Sequence, residues 1–221
     1  MKRTVCRIAG LFFASISVSM AAEPQLYETG PSEESAYVRF VNATDQALDV
    51  TSSKGSAKIN LPVSGDGRVS RFFSVKAGTR LSATVQSAGH KAVVDVTGKP
   101  WEYITVVMLP GGATQFKSTL VRETPDDFNA MRSSVALFNL DAACGGAIMQ
   151  GGAKHATILD NVKPFSVQRR LVNPVRLTAT VGCGANGTDV DMSQLQAGER
   201  YSVFLLPLKN ARQAFFVRDV N

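Results

Sequence analysis

Short runs of apolar and β-branched residues, broken at close intervals by turn chemistry, dominate this chain. Ala36-Tyr37-Val38-Arg39-Phe40-Val41-Asn42 mixes aromatic and β-branched residues, residues 81–85 alternate with period two, and residues 92–96 and 104–108 are rich in Val and Ile. Between such runs lie Ser64-Gly65-Asp66-Gly67, Lys76-Ala77-Gly78, Ser87-Ala88-Gly89, Thr97-Gly98-Lys99-Pro100 and Pro110-Gly111-Gly112. Strands of this length with no helical period between them predict antiparallel pairing and an all-β sandwich.

The pattern occurs twice. Arg80-Leu81-Ser82-Ala83-Thr84-Val85 returns as Arg176-Leu177-Thr178-Ala179-Thr180-Val181, an offset of 96, and Val38-Arg39-Phe40-Val41-Asn42 is echoed at 97 by Val135-Ala136-Leu137-Phe138-Asn139. The strand from Tyr103 to Pro110 reappears as Tyr201 to Pro207, and Val121-Arg122-Glu123 as Val217-Arg218-Asp219. Four blocks in the same order over a domain length predict two tandem copies of one fold. The expected organisation is a signal peptide over 1–21, an extended arm over 22–35, a first sandwich over 36–124, a linker over 125–130 and a second sandwich over 131–221. One helical turn is allowed for at residues 126–131, next to the linker Pro.

The signal peptide is read from the charged head at Lys2, Arg3 and Arg7, the apolar residues 8–18, and Ser19-Met20-Ala21, which places small residues before a cleavage point at Ala22. The apolar run is shorter than the ~18 residues a spanning helix needs. Cleavage would remove three of the 24 basic residues, leaving 21 against 18 acids, a net charge of +3 instead of +6. No basic cluster is longer than Arg169-Arg170, so nucleic acid is not an expected partner. Arg68, Arg71, Arg169 and Arg170 recur before the repeated Leu-Ser/Thr-Ala-Thr strands, where they would lie at one edge of each sandwich or be scattered solvated charges, and the solvated reading is the expected one.

Cys144 and Cys183 survive cleavage, both in the second copy. In an oxidising compartment they are expected to form one disulfide, closing a loop of about 40 residues and worth roughly 4 kcal/mol. A catalytic thiol is the alternative and would need a neighbouring base. The two histidines, His90 and His155, lie in turn settings in different copies. No Gly-x-Ser-x-Gly elbow and no Cys/His set at metal spacing occurs, so the expectation is a protein without catalytic, metal or cofactor-binding residues. Gly182-Cys183-Gly184-Ala185-Asn186-Gly187 fits G-x-G-x-x-G, but strand-like residues follow it where a dinucleotide site needs a helix, which predicts a hairpin turn. Asp189 and Asp191 at i, i+2 read as a solvated strand face. Trp101 follows Gly98-Lys99-Pro100 at a strand entrance. Its ring either packs in the core or projects as a platform for a sugar or a partner, and the sequence leaves both open. Tyr103, matched with Tyr201, is expected in the core.

Leu26-Tyr27, Gly30-Pro31 and Ser35-Ala36-Tyr37-Val38-Arg39-Phe40-Val41-Asn42-Ala43 resemble the start of the AlgF family, periplasmic accessory proteins of alginate O-acetylation. There a Leu-Tyr-Gly-Pro leader precedes a Ser-Ala-Phe-Val-Arg-type strand ending in Asn-Ala. Phe72-Phe73-Ser74-Val75 and Ala77-Gly78 extend the likeness more loosely, and the cysteine pair departs from it. Similar proteins serve a cellulose-acetylation system. The resemblance implies a periplasmic, non-catalytic adaptor among polysaccharide O-acetyltransferase components and a membrane acyltransferase. The alternative is a carbohydrate-binding module that presents the polysaccharide itself.

Overall fold

A computed structural model describes residues 34–53, 58–111, 116–124, 129–184, 186–208 and 211–220. The expected signal peptide, nearly all of the N-terminal arm and most of the linker lie outside the described residues.

Among the described residues sixteen strands follow one another: β1 (Ser35–Asn42), β2 (Leu48–Ser52), β3 (Lys58–Leu61), β4 (Phe73–Lys76), β5 (Arg80–Ser87), β6 (His90–Thr97), β7 (Tyr103–Pro110) and β8 (Phe116–Glu123), then β9 (Ser133–Asn139), β10 (Ala147–Gly151), β11 (Ala156–Val162), β12 (Ser166–Val172), β13 (Arg176–Cys183), β14 (Asn186–Gln194), β15 (Arg200–Leu208) and β16 (Ala211–Arg218). Among the described residues the only helical element is a 3-10 turn at Asp66–Arg68. Residues 129–132, at the end of the expected helical turn, form a turn in which the Arg132 N–H donates to the Asn129 carbonyl at 3.1 Å.

The repeat is exact in topology. Sheets β4-β1-β7-β8 and β3-β2-β5-β6 form the first sandwich, and β12-β9-β15-β16 and β11-β10-β13-β14 the second. Pairing is antiparallel except for β1 with β7 and β9 with β15, which run parallel. Both parallel pairs lie where parallel sheets are usually found, with both faces covered. The middle strands of these two sheets are covered on both faces. Val38, Phe40, Ile104 and Val106 join the core of the first sandwich, and Val135, Leu137, Val203 and Leu205 that of the second. The opposite faces meet in a third core containing Val41, Val107, Ala136, Phe138, Phe204 and Leu206. The four sheets therefore stack in series, with the two sandwiches back to back.

The shared Asn has the same task in both copies. Asn42 accepts the Thr44 N–H at 3.0 Å and donates to the carbonyls of Gln46, Leu61 and Pro62. Asn139 accepts the Asp141 N–H at 3.1 Å and donates to the Cys144 and Val162 carbonyls, both at 2.8 Å. Each ties the end of a central strand to the other sheet of its sandwich, satisfying buried carbonyls that would otherwise cost free energy.

One block aligns a residue away from the sequence expectation. Val38 faces Ile104 and Val135 faces Tyr201, so Tyr103 corresponds to Arg200 and Ile104 to Tyr201. The offset of 97 runs unbroken to Pro110 and Pro207. A slip of one residue in a strand changes the face: Tyr201 is buried in the second core, while half-buried Tyr103 faces the other sandwich beneath Arg200.

Candidate functional site

Trp101 projects. It is 62% exposed, against a fully buried Ile104 three residues on. The turn that carries it is Lys99-Pro100-Trp101-Glu102, closed by the Glu102 N–H donating to the Lys99 carbonyl at 3.2 Å. Pro100 sets the first corner, and Trp101 occupies the second with φ +63°, a position where such turns take Gly. A bulky residue there is held against a cost of about 1–2 kcal/mol. Backbone hydrogen bonds from Trp101 N–H to the Ser35 carbonyl and from Tyr37 N–H to the Glu102 carbonyl, both 2.8 Å, stitch the turn to β1. The buried Glu102 carboxylate accepts the Lys99 N–H at 2.8 Å and Arg122 Nη1 at 2.9 Å. Gly98 is required, since a Cβ there would lie 2.4 Å from that of Ala36. Thr97, Lys99, Glu102 and Arg122 line an adjoining open cleft of about 530 Å³. Lys163-Pro164-Phe165-Ser166 builds a similar turn in the second sandwich, also with positive φ, but Phe165 is half-buried. Exposure, more than strain, distinguishes Trp101.

A second cluster lies in the seam between the sandwiches. Arg39, 1% exposed, donates to Asp219 Oδ1 at 2.7 Å, Ser202 Oγ at 2.9 Å and Thr105 Oγ1 at 3.0 Å, with the rings of Phe72, Phe138 and Phe204 within 5.0 Å of its guanidinium. Arg169 pairs with Glu123 and, at 3.2 Å, with Asp219, and Arg200 lies 3.7 Å from Glu123 and over the Tyr103 ring. Glu123 and Asp219 are the repeat-equivalent acids, so the internal symmetry of the chain brings its two matching carboxylates to one seam. Burial by itself would raise the Asp219 carboxyl, but Arg39 and Arg169, with the Ser202 hydroxyl, outweigh it and hold it below the ordinary carboxylate value. Burial lowers Arg39, opposed by Asp219; burial and then repulsion from Arg169 lower Arg200.

Sequence reasoning missed this cluster. The available signal was the Arg in the middle of a strand with apolar residues on both faces, together with the acid closing each copy. Of the four arginines expected to be solvated, Arg71 and Arg170 are solvent-facing, whereas Arg68 and Arg169 are buried. Arg68 is enclosed because its guanidinium donates to the carbonyls of Asn42, Thr44 and Val63, capping the loop after β1.

Cys144 and Cys183 form a disulfide with Cα atoms 5.6 Å apart, tying the loop after β9 to the end of β13. The G-x-G-x-x-G match is the β13–β14 hairpin, paired up to Cys183 and Asn186. Asp189 accepts the Thr180 hydroxyl and Asp191 the Ser193 N–H, so each carboxylate serves its own hairpin. His90 opens β6 beside the Phe116 ring and His155 sits in the β10–β11 turn. Among the described residues no three His, Cys, Asp or Glu side chains converge as a metal site.

No protein-family model matches the chain, and no curated protein matches it. Among solved structures, the C-terminal domain of AlgF from P. aeruginosa is similar with 18% identity over 40% of this chain and 98% of that one, at a TM-score of 0.35. A candidate cell adhesion protein from Bacteroides uniformis is similar with 9% identity over 86% of this chain and 98% of that one, at a TM-score of 0.29. At these scores neither likeness carries an argument about this chain.

Proposed function

We propose that this protein is an exported, non-catalytic adaptor for O-acetylation of a secreted exopolysaccharide, alginate or cellulose. The observation that carries the reading is the back-to-back stack: a shared apolar core and buried ion pairs hold two sandwiches in one arrangement, so partners docked on each would stand at a set distance. Holding acetylation enzymes and the membrane acyltransferase together raises their effective concentration without a group-transfer site in the adaptor. The AlgF-like leader and first strand support the choice of machinery, and the Cys144–Cys183 disulfide suits an oxidising compartment such as the periplasm. No residue is assigned a catalytic role.

A clean chromosomal deletion tests this reading. Polymer yield should persist while ester-linked acetyl falls to background, and pull-downs should capture an acetylation enzyme. Unchanged acetyl content would end the proposal.

The exposure of Trp101 favours a second reading, in which the indole covers the apolar face of a sugar ring and the protein presents the polymer. Binding of purified polymer to the wild type, lost in Trp101→Ala at unchanged thermal stability, would select it over the adaptor reading.

A further inference from the structure

Several residues other than glycine have positive φ, and among them Trp101 is the one that holds a large apolar ring in solvent. The turn does not need that ring. Its bonds to β1 come from backbone groups of Trp101 and Glu102, and the carboxylate that braces it belongs to Glu102. Glycine would meet the same backbone demand without strain. An exposed indole held at positive φ therefore gains nothing for the fold that offsets its backbone cost. Strain of this kind gathers where side chains meet ligands.

The surroundings of the ring say what kind of ligand. None of the other exposed large apolar side chains lies in the turn or lines the cleft beside it. An aromatic anchor for a protein partner is normally ringed by contacts that exclude water, within an apolar patch of several hundred Å². Here the neighbours are Thr97, Lys99, Glu102 and Arg122, all polar. A single flat ring beside hydrogen-bonding groups suits a sugar, which has an apolar face and a polar rim.

The chemistry of those groups narrows the sugar. The Glu102 carboxylate is 8% exposed and already accepts the Lys99 N–H and Arg122 Nη1, so it is committed to bracing the turn. Arg122 is 40% exposed, and both of its bonds, to Glu102 and to the Thr97 carbonyl, leave from Nη1. Its Nε and Nη2 still have protons to give. The exposed Lys99 ammonium has no carboxylate partner among the described residues. Glu34, ahead of β1, is not among the residues lining the cleft. The charged groups this cleft offers to solvent thus donate and cannot accept. A neutral sugar brings hydroxyls that both donate and accept, whereas a carboxylate brings only acceptors and takes charge-assisted bonds from both cations.

We propose that Trp101, Lys99 and Arg122 form a binding site for a carboxylated sugar, the ring lying on the indole and the carboxylate held by the two cations in the cleft. The inference rests on the second reading above, in which Trp101 carries a sugar of the polymer, and deepens it by selecting an acidic polysaccharide over a neutral glucan.

Trp101 is the single tryptophan of the chain, so its fluorescence reports on the site directly. The test titrates purified protein with oligouronates cut from alginate and, in parallel, with cello-oligosaccharides of equal length. Oligouronates should change the emission and bind at least about fivefold more tightly, the factor expected of two charge-assisted bonds in an open cleft. Lys99→Gln, a change at an exposed side chain, should weaken oligouronate binding at least about twofold and leave cello-oligosaccharide binding unchanged. Trp101→Gly, which relieves the strained φ and so keeps the fold, should lose oligouronate binding by calorimetry. Equal affinity for both sugars would overturn the carboxylate preference and leave the sugar-platform reading standing. No binding of either sugar would remove both. Oligouronate binding retained in Trp101→Gly would mean diffuse charge attraction and overturn the site, as would a protein partner whose capture is lost in that variant while oligouronate leaves the emission unchanged.

Discussion

Asp219→Asn keeps the shape of a side chain that is 3% exposed and removes one of two negative charges from a seam holding three arginines. Arg39 is left without its directly bonded counter-ion among the rings of Phe72, Phe138 and Phe204. Removing one partner of a buried pair costs about 3–5 kcal/mol, because the remaining charge stays buried. For a chain of this size each kcal/mol lowers Tm by about 2–4 °C, so the variant should melt roughly 10 °C below the wild type. Urea unfolding measures the free energy directly, and Arg39→Met in the Asp219→Asn background should recover at least half of the loss, since the orphaned charge is then gone. The pH dependence supplies a second readout. The folded-state pKa of Asp219 is depressed, so its contribution is fully present above the unfolded carboxylate value near ~3.9 and is lost as pH falls through the lower folded value. Asp219→Asn should flatten the acid limb of the stability curve below about pH 4. A loss under about 1 kcal/mol, or a double variant equal to the sum of its singles, would refute the view that Arg39 and Asp219 act as a coupled buried pair.

Two further outcomes are expected. Reducing the disulfide, or Cys144→Ser/Cys183→Ser, should lower stability by up to about 4 kcal/mol, and dithiothreitol should lower the Tm of the wild type while leaving the double variant unchanged. Trp101→Gly should leave Tm level or raise it slightly, because Gly adopts the positive φ freely; a marked fall would mean that the indole supports the fold.

Local chemistry carries a defined share of this protein. The alternating runs, the turn residues between them and the ordered repeat were sufficient for an all-β chain of two tandem sandwiches, since strand period and turn conformation depend on residues close in sequence. The repeated Asn and the cysteine pair were also visible, although the carbonyls that Asn42 and Asn139 hold belong to other strands. What the sequence left open depended on which faces meet. Whether Trp101 packs or projects follows from the turn being stitched to β1. The slip that separates Tyr103 from Tyr201 follows from pairing register. Period two shows that a strand has an apolar face but not what covers the other one. Only the packing of sheet on sheet decided that Arg39, Arg169, Glu123 and Asp219 meet in a buried seam. The seam joins residues far apart in the chain, whose approach is set by the competition of whole faces for burial.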